Sequence, residues 1–300
     1  MNEILHALDA DDATSLAAMR AAIAAHPMEM SRATFDWLLE QVPDADGVSY
    51  APDTVGGVPG IWARPANARP RAAMLYLHGG AYGLGSAQAY RHFAGQVASR
   101  AGLAAFVPDY RLAPEHPFPA AVVDARAALA GLQASDGGLD AIAIVGDSAG
   151  GGLALAVLAE AGLVARRTGR TAPRLAGALF SPWTDLALTG ASLEARASED
   201  PLLQRALLAG GAAQYLAGHD ARDPLASPLH ADTEGLPAVQ VHVGTAEILL
   251  DDARRLTALG PVEVHVWEGM VHVFPNNVAT VKAARAALDL TGAFLREALR

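Results

Sequence analysis

The feature of this chain that most limits its fold is a repeated alternation of short apolar segments with long helical ones. Six segments rich in apolar and β-branched residues show little polar alternation, which is typical of strands buried on both faces. These strand segments are 72–77, 104–107, 141–145, 175–180, 238–243 and 262–267. Ala- and Leu-rich stretches with helical character lie at 87–101, 120–132, 149–167, 251–259 and 278–299. Because strand–helix–strand units connect by right-handed crossovers, this order predicts an α/β fold with a mostly parallel central sheet flanked by helices.

Two regions depart from this rhythm. Residues 1–41 contain two helical stretches before any predicted strand, at 13–25 and 31–41, and Ser31 is placed to cap the second. Residues 186–217 are rich in Leu and Ala and interrupt two strand segments. Ligands of open α/β sheets bind beyond the carboxyl ends of the strands, where such regions can form a lid. We therefore expect a helical cap from residues 1–47 and 186–220 on a core of 48–185 and 221–300. The alternative is ordinary helical packing on the core.

Composition and charge exclude several classes of function. The 300 residues carry a formal net charge of -10, which repels phosphate backbones, so no nucleic-acid partner is expected. The chain has no cysteine, which rules out disulfides, thiolate metal sites and a cysteine nucleophile. The longest apolar stretch, 141–159, contains Asp147, Ser148 and a glycine cluster, so we expect no membrane span. The start of the chain is acidic and lacks a signal pattern, so we expect a cytoplasmic protein.

The strongest local motif is Gly146-Asp147-Ser148-Ala149-Gly150, between a predicted strand and a predicted helix. This Gly-x-Ser-x-Gly pattern is typical of a tight strand-to-helix turn that exposes a nucleophilic serine. Glycines on either side allow neighbouring segments to approach closely, and the helix start directs backbone N–H groups towards the serine. The sequence therefore predicts Ser148 as a nucleophile. The alternative is a glycine-rich turn in which Ser148 caps the helix.

A second glycine-rich segment, His78-Gly79-Gly80-Ala81-Tyr82-Gly83, follows the first parallel strand. Acyl transfer at a serine creates a negatively charged oxygen, which is stabilised by preorganised N–H donors. We predict an oxyanion hole from the N–H groups of Gly80, Ala81 and Ala149, with Gly79 shaping the loop. A phosphate-binding loop is the alternative, but its glycine register fails and no lysine is nearby.

Several segments together resemble a known family. They are His78-Gly79-Gly80, residues 109–120, residues 146–151, Ser181-Pro182-Trp183 and residues 271–274. In this order they resemble the hormone-sensitive lipase-like (bacterial family IV) esterases of the α/β-hydrolase superfamily, with a likeness that runs from about Val58 to the C-terminus. The resemblance implies an α/β-hydrolase core with a helical cap. It also implies a carboxylic ester hydrolase that needs no metal or cofactor and favours short to medium acyl chains.

The remaining catalytic groups follow from chain order and from this resemblance. In α/β-hydrolases the acid and then the histidine come after the serine. His272 follows the last predicted strand and matches the family motif, so we expect it to be the general base. For the acid, Glu247, Asp251 and Asp252 are available. The family pattern puts Glu247 at the position usually held by aspartate, with Asp251 second in order.

Five apolar or aromatic side chains are expected to contact substrate: Tyr82, Trp183, Leu207, Leu208 and Trp37. Tyr82 and Trp183 lie beside the catalytic motifs, whereas core packing is at least as good an explanation for the other three. A small ester or lactone is the expected substrate, and the family likeness allows a homodimer.

The triad also suits a lactonase or a deacetylase, because specificity resides in the pocket and cap. A non-catalytic receptor on the same scaffold is expected to lack a triad member, and none is missing here.

Overall fold

Residues 3–26, 29–135, 137–168 and 173–300 are described by the computed structural model, and their strands form one nine-stranded sheet. The strands are β1 (Glu3–His6), β2 (Val48–Val55), β3 (Val58–Pro65), β4 (Ala72–Leu77), β5 (Ala104–Pro108), β6 (Ala141–Asp147), β7 (Arg174–Phe180), β8 (Val239–Gly244) and β9 (Val262–Trp267). Their order across the sheet is β1-β9-β8-β7-β6-β4-β5-β3-β2. Among these nine strands, β3 alone runs opposite to the others, and it pairs antiparallel with both β2 and β5. The predicted mostly parallel sheet is confirmed.

Helices occupy the intervals between the parallel strands. They are α1 (Ala10–Ala25), α2 (Arg32–Glu40), α3 (Ala87–Ala101), α4 (Ala120–Gln133), α5 (Ser148–Thr168), α6 (Ser192–Ala195), α7 (Arg205–Leu216), α8 (Leu250–Arg255) and α9 (Lys282–Ala298). The predicted capping role of Ser31 is confirmed, since its side chain accepts a hydrogen bond from the Thr34 N–H at the start of α2. The predicted helix at 251–259 is shorter than expected, because α8 gives way to a 3-10 helix at Leu256–Ala258.

Strand β4, near the middle of the sheet, is apolar throughout because both of its faces are covered. Leu75 and Leu77 of β4 pack into a core on the side of α4, α5 and α8. Met74 and Tyr76 of the same strand pack on the opposite side, against α3 and α9. Successive side chains of a strand point to opposite faces, so two cores require an unbroken apolar run.

The expectation that residues 1–41 contain no strand is wrong. Residues Glu3–His6 form β1, which pairs in parallel with β9 at one edge of the sheet. The hairpin of β2 and β3 at the other edge was also not predicted. These strands lie at or near the sheet edges, so their sequences lack the continuous apolar run that marks a buried strand. Gly56 and Gly57, both with positive φ, form the two-residue turn of the hairpin.

The segment 186–217 is less helical than predicted. It contains the four-residue helix α6 and the longer α7, and turns and irregular segments occupy the remainder. Asp200 stabilises one of these turns by accepting hydrogen bonds from the N–H groups of Leu202 and Leu203. Aspartate commonly bonds to backbone N–H groups two or three residues ahead, which competes with helix formation.

The helix α5 is the one described helix that is long and apolar enough to cross a membrane. Within its most apolar window, 72% of the helix is buried inside the protein. It packs against β6 and β7 in the centre of the molecule. This burial is what a core helix of a large α/β domain requires.

The first helix packs behind the loop that follows β9. Leu16 of α1 belongs to a buried cluster with Met270, Val271 and Phe274. At the end of the same loop, the Asp12 carboxylate accepts hydrogen bonds from the N–H groups of Lys282 (2.7 Å) and Ala283 (2.9 Å). The first turn of α9 has no side-chain cap of its own, so Asp12 caps it from a distant part of the chain.

We expect Asp12→Ala to lower the free energy of unfolding by about 1–2 kcal/mol, the usual effect of removing a helix cap. Urea denaturation followed by circular dichroism measures this change. Asp11→Ala is the matched control, because the Asp11 side chain is 77% exposed and its partner among the described residues is the Lys282 ammonium. Its loss should cost less than about 1 kcal/mol. Equal destabilisation by the two substitutions would contradict the capping role of Asp12.

Candidate active site

Ser148 lies in a tight turn between β6 and α5. Its φ is +52°, in the left-handed region that non-glycine residues rarely adopt. A Cβ atom on Gly146 would lie 2.3 Å from the Gly150 carbonyl oxygen, and one on Gly150 would lie 2.1 Å from the Leu77 carbonyl oxygen. The predicted need for glycine on both sides of the serine is therefore confirmed. The turn holds the Ser148 side chain at the carboxyl end of β6, partly exposed.

Backbone strain is concentrated around this serine. Four further non-glycine residues in loops that flank the site have positive φ: Ala81 (+51°), Tyr82 (+61°), Ser181 (+44°) and Val273 (+48°). Such conformations persist only where surrounding contacts impose them, and they cluster at functional sites.

His272 lies between Ser148 and Glu247. Its Nε2 atom is 3.0 Å from the Ser148 Oγ atom, and its Nδ1 atom is 2.9 Å from the Glu247 Oε2 atom. The Glu247 side chain is fully buried, whereas the His272 side chain is 9% exposed. A hydroxyl, an imidazole and a carboxylate that are hydrogen-bonded in this order can carry out nucleophilic acyl transfer, in which the imidazole moves the proton.

The environment of His272 favours its protonated form. Burial lowers the pKa of the imidazole, but the hydrogen bond and negative charge of Glu247 outweigh burial, so that its pKa lies above 6.5. The charges of Asp200 and Asp147 add to this effect. The net attraction stabilises the imidazolium that forms when the ring accepts a proton.

Glu247 is fixed by three donors from three different segments. Its Oε1 atom accepts hydrogen bonds from the Ser181 hydroxyl (2.7 Å) and from the Gly244 N–H (2.8 Å), and its Oε2 atom faces His272. The Ser181 oxygen also accepts a hydrogen bond from the Val273 N–H, next to His272. Ser181 therefore ties the carboxylate to the histidine loop. Sequence reasoning quoted this serine only as part of a motif and missed its contact.

The other acids near Glu247 have different partners. Asp251 accepts a hydrogen bond from the Ser192 N–H (2.9 Å). Asp252 is buried and accepts hydrogen bonds from the N–H groups of Thr184 and Asp185, and burial raises its pKa to about 7. Asp200 accepts a hydrogen bond from the Ile248 N–H, which links the segment before α7 to the residue that follows Glu247. The role of Asp200 had no signal in the sequence.

We call residues 78–83, which follow β4, the oxyanion loop, because they include two of the three predicted oxyanion donors. The Gly79 N–H donates to the Asp147 Oδ1 atom (3.1 Å) and is therefore occupied. Within the described residues, the N–H groups of Gly80 and Ala81 donate to no protein group. Ala149 is the second residue of α5, where N–H groups lack a partner in a preceding helical turn. Three N–H groups are thus available to an incoming oxygen atom, and Gly79 acts in shaping the loop.

Asp147 anchors this loop from below. Its carboxylate is buried and also accepts hydrogen bonds from the hydroxyls of Tyr76 (2.9 Å) and Tyr90 (3.0 Å). Burial raises its pKa to about 6, although these hydrogen bonds oppose the shift. The His78 ring bonds to the Gly79 carbonyl (2.8 Å) and stacks on Tyr110, and burial lowers its pKa to about 4. His78 is therefore neutral at pH 7 and stabilises the loop.

The five residues predicted to contact substrate have different surroundings. Tyr82 lies in the oxyanion loop and Trp183 lies beside it. Both are buried, with ring centroids 6.3 Å apart. Leu208 is buried in the core cluster that includes both aromatic residues. Leu207 is 61% exposed and Trp37 is 55% exposed. Substrate contact by each of the five stays a prediction.

The chain is similar to several known proteins. A family model described as an alpha/beta hydrolase fold matches residues 74–276. An acetyl-hydrolase of Streptomyces hygroscopicus is 42% identical over 262 residues, which cover 86% of this chain and 84% of that protein. An esterase of Acinetobacter venetianus is 35% identical over 277 residues, which cover 86% and 85% of the two chains. The crystal structure of an esterase from the bacterial hormone-sensitive lipase family has a TM-score of 0.87 at 37% identity, covering 98% of this chain and 100% of that one.

Proposed function

Since the chain belongs to the bacterial hormone-sensitive lipase family of alpha/beta hydrolase esterases and is a carboxylic ester hydrolase, we propose that it cleaves short- to medium-chain esters through an acyl-enzyme on Ser148. The observation that carries the proposal is the pair of contacts made by the His272 ring, one to Ser148 and one to Glu247.

In the first half of the cycle, His272 Nε2 accepts the proton of the Ser148 hydroxyl as the oxygen attacks the ester carbonyl. The carbonyl oxygen becomes negatively charged and accepts hydrogen bonds from the N–H groups of Gly80, Ala81 and Ala149. Glu247 holds the Nδ1–H of the imidazolium and stabilises its charge. The imidazolium then donates its proton to the departing alcohol, which leaves the acyl group on Ser148.

In the second half, a water molecule takes the place of the alcohol. His272 accepts a proton from the water as its oxygen attacks the acyl-enzyme, and the same N–H groups stabilise the second oxyanion. The imidazolium returns the proton to the Ser148 oxygen as the carboxylic acid is released. Every proton transfer uses the His272 Nε2 atom.

An ester with a small acyl group is the first substrate to test. The relative from Streptomyces hygroscopicus is named an acetyl-hydrolase, which favours acetyl esters and allows a deacetylase as a second candidate. We also propose that the described residues of 1–47, apart from the sheet strand β1, form a cap over the site together with residues 186–220. Location in the cytoplasm, assembly as a homodimer and activity on lactones stay predictions.

Hydrolysis of p-nitrophenyl esters from acetyl to palmitoyl tests the proposal, with Ser148→Ala measured alongside. We expect turnover by the wild type to be fastest at short to medium chain lengths and to be abolished in the variant. The proposal would be contradicted if the folded wild-type protein hydrolysed none of these esters, or if Ser148→Ala left turnover unchanged.

The pH dependence of kcat/KM follows from the environment of His272. Only the neutral ring accepts the serine proton, and its pKa lies above 6.5, so kcat/KM should decline as the pH falls through that pKa. Asp200→Asn removes one negative charge that raises this pKa and should move the acid limb to lower pH. Asp53→Asn is the control, since Asp53 bonds to Trp62 on the β2–β3 hairpin. An acid limb in the same place in all three proteins would contradict this assignment.

A further inference from the structure

The oxyanion loop is held in an unfavourable backbone conformation. Ala81 and Tyr82 are consecutive non-glycine residues with positive φ. Left-handed conformations of this kind require contacts that impose them. The Tyr82 carbonyl accepts a hydrogen bond from the Ala113 N–H (2.8 Å). This bond restrains the backbone, but it does not hold the side chains of Ala81 and Tyr82 in place.

Helix α7 supplies the contacts to these side chains. The Tyr215 ring stacks on the Tyr82 ring, with centroids 3.7 Å apart and planes inclined by 5°. One turn earlier on the same helix, Gly211 lies against Ala81, because a Cβ atom at Gly211 would be 3.3 Å from the Ala81 Cβ atom. Residues four apart lie on one face of a helix, so a single face of α7 contacts two consecutive residues of the loop.

The contact between α7 and the loop depends on packing and not on hydrogen bonds. Both tyrosines are buried, and within the described residues neither hydroxyl has a hydrogen-bond partner. The edge of Phe118 meets the Tyr215 ring at 5.7 Å, and the Phe118 N–H donates to the Tyr215 carbonyl (2.7 Å). The Tyr215 ring is thus held between the core and the oxyanion loop.

We propose that Tyr215 is a positioning residue of the oxyanion hole, through which α7 holds the N–H groups of Gly80 and Ala81 in the orientation that stabilises the transition state. This inference rests on the proposed function, since it assigns those N–H groups to the oxyanion. It follows that the position of α7 affects the chemical step. A shift of the helix changes the donors even when substrate still binds.

The first test compares Tyr215→Leu with Tyr215→Phe on p-nitrophenyl acetate. Leucine removes the stacked ring, and we expect kcat to fall about 10-fold with KM within about twofold of wild type. The loss is smaller than the ~10²–10³-fold effect of deleting an oxyanion donor, because the donors remain but are less well aligned. Phenylalanine keeps the ring and removes a hydroxyl that has no partner among the described residues, so Tyr215→Phe should have the kcat of the wild type.

The second test uses two adjacent glycines of α7 as a matched pair. A Cβ atom at Gly210 would meet nothing within 4 Å, whereas one at Gly211 meets Ala81. Both substitutions to valine have the same effect on helix propensity. We expect Gly211→Val to lower kcat and Gly210→Val to leave it unchanged, with similar melting temperatures.

The outcomes separate this inference from the proposed function. Labelling with diethyl p-nitrophenyl phosphate counts the reactive sites, so that kcat refers to folded enzyme only. A raised KM with unchanged kcat in Tyr215→Leu would overturn the inference, because Tyr215 would then contact substrate. Equal kcat in the two valine variants would also overturn it. Failure of the proposed function has a different signature, namely ester hydrolysis that persists in Ser148→Ala.

Discussion

Replacement of His272 by alanine is expected to lower kcat for ester hydrolysis by roughly 10⁴- to 10⁶-fold. The His272 ring is the group within hydrogen-bond distance of the Ser148 hydroxyl, and both halves of the proposed cycle pass a proton through its Nε2 atom. A serine hydroxyl without an adjacent base is a weak nucleophile at neutral pH. Because the ring moves protons and does not bind the ester, KM should change little.

Steady-state kinetics with p-nitrophenyl acetate measure this effect, and circular dichroism shows whether the variant is folded. His116→Ala is the control, since His116 is exposed and lies outside the proposed site. It should retain the activity of the wild type. A loss of less than about 10-fold in folded His272→Ala would mean that another group acts as the base.

Glu247→Gln is expected to lower kcat by about 10⁴-fold by stabilising the wrong tautomer of His272. In the wild type, the Ser181 hydroxyl and the Gly244 N–H both donate to Oε1. These donors select the carbonyl oxygen of the glutamine and turn its NH₂ group towards the Nδ1 atom of His272. The ring then accepts at Nδ1 and carries its proton on Nε2, where it cannot take the proton of Ser148.

Asp251→Asn is the comparison for this prediction. The Asp251 carboxylate bonds to the Ser192 N–H and not to His272, so the variant should keep most of its turnover. Glu247→Asp keeps the charge but shortens the side chain, and it should retain more activity than Glu247→Gln. Nearly full turnover in Glu247→Gln together with a crippled Asp251→Asn would show that the acid has been misassigned.

The elements that were predictable from sequence are those buried on both sides. The strands at 72–77 and 262–267 and the helix at 87–101 have the predicted bounds. A continuous apolar run marks the first of these strands, and helical periodicity marks the helix. The edge strand β1 has only four residues, three of them exposed, and no periodicity separates it from a helix or a loop. A Gly-Gly pair such as Gly56-Gly57 is typical of a two-residue hairpin turn and is the one local sequence signal of the β2–β3 hairpin.

The same distinction holds for the active site. Ser148 and the glycines beside it are contiguous in sequence, so the turn and its steric demands were predictable. The contacts of Ser181 and Asp200 were not, because these residues act through groups 66 and 48 positions away, Glu247 and the Ile248 N–H. The stack of Tyr82 on Tyr215 also depends on where α7 lies in the fold. Contacts between distant segments are set by packing, which periodicity does not encode.

The most direct measurement of the central claim is the site of covalent modification by diethyl p-nitrophenyl phosphate. The reagent transfers its phosphoryl group to an activated serine and releases p-nitrophenol, and peptide mass spectrometry locates the label. The proposed mechanism predicts one label per chain, on Ser148, with loss of esterase activity in proportion to labelling. It also predicts no label in Ser148→Ala or in His272→Ala. Full inactivation with the label on another residue, or labelling of Ser148 with activity retained, would contradict the mechanism.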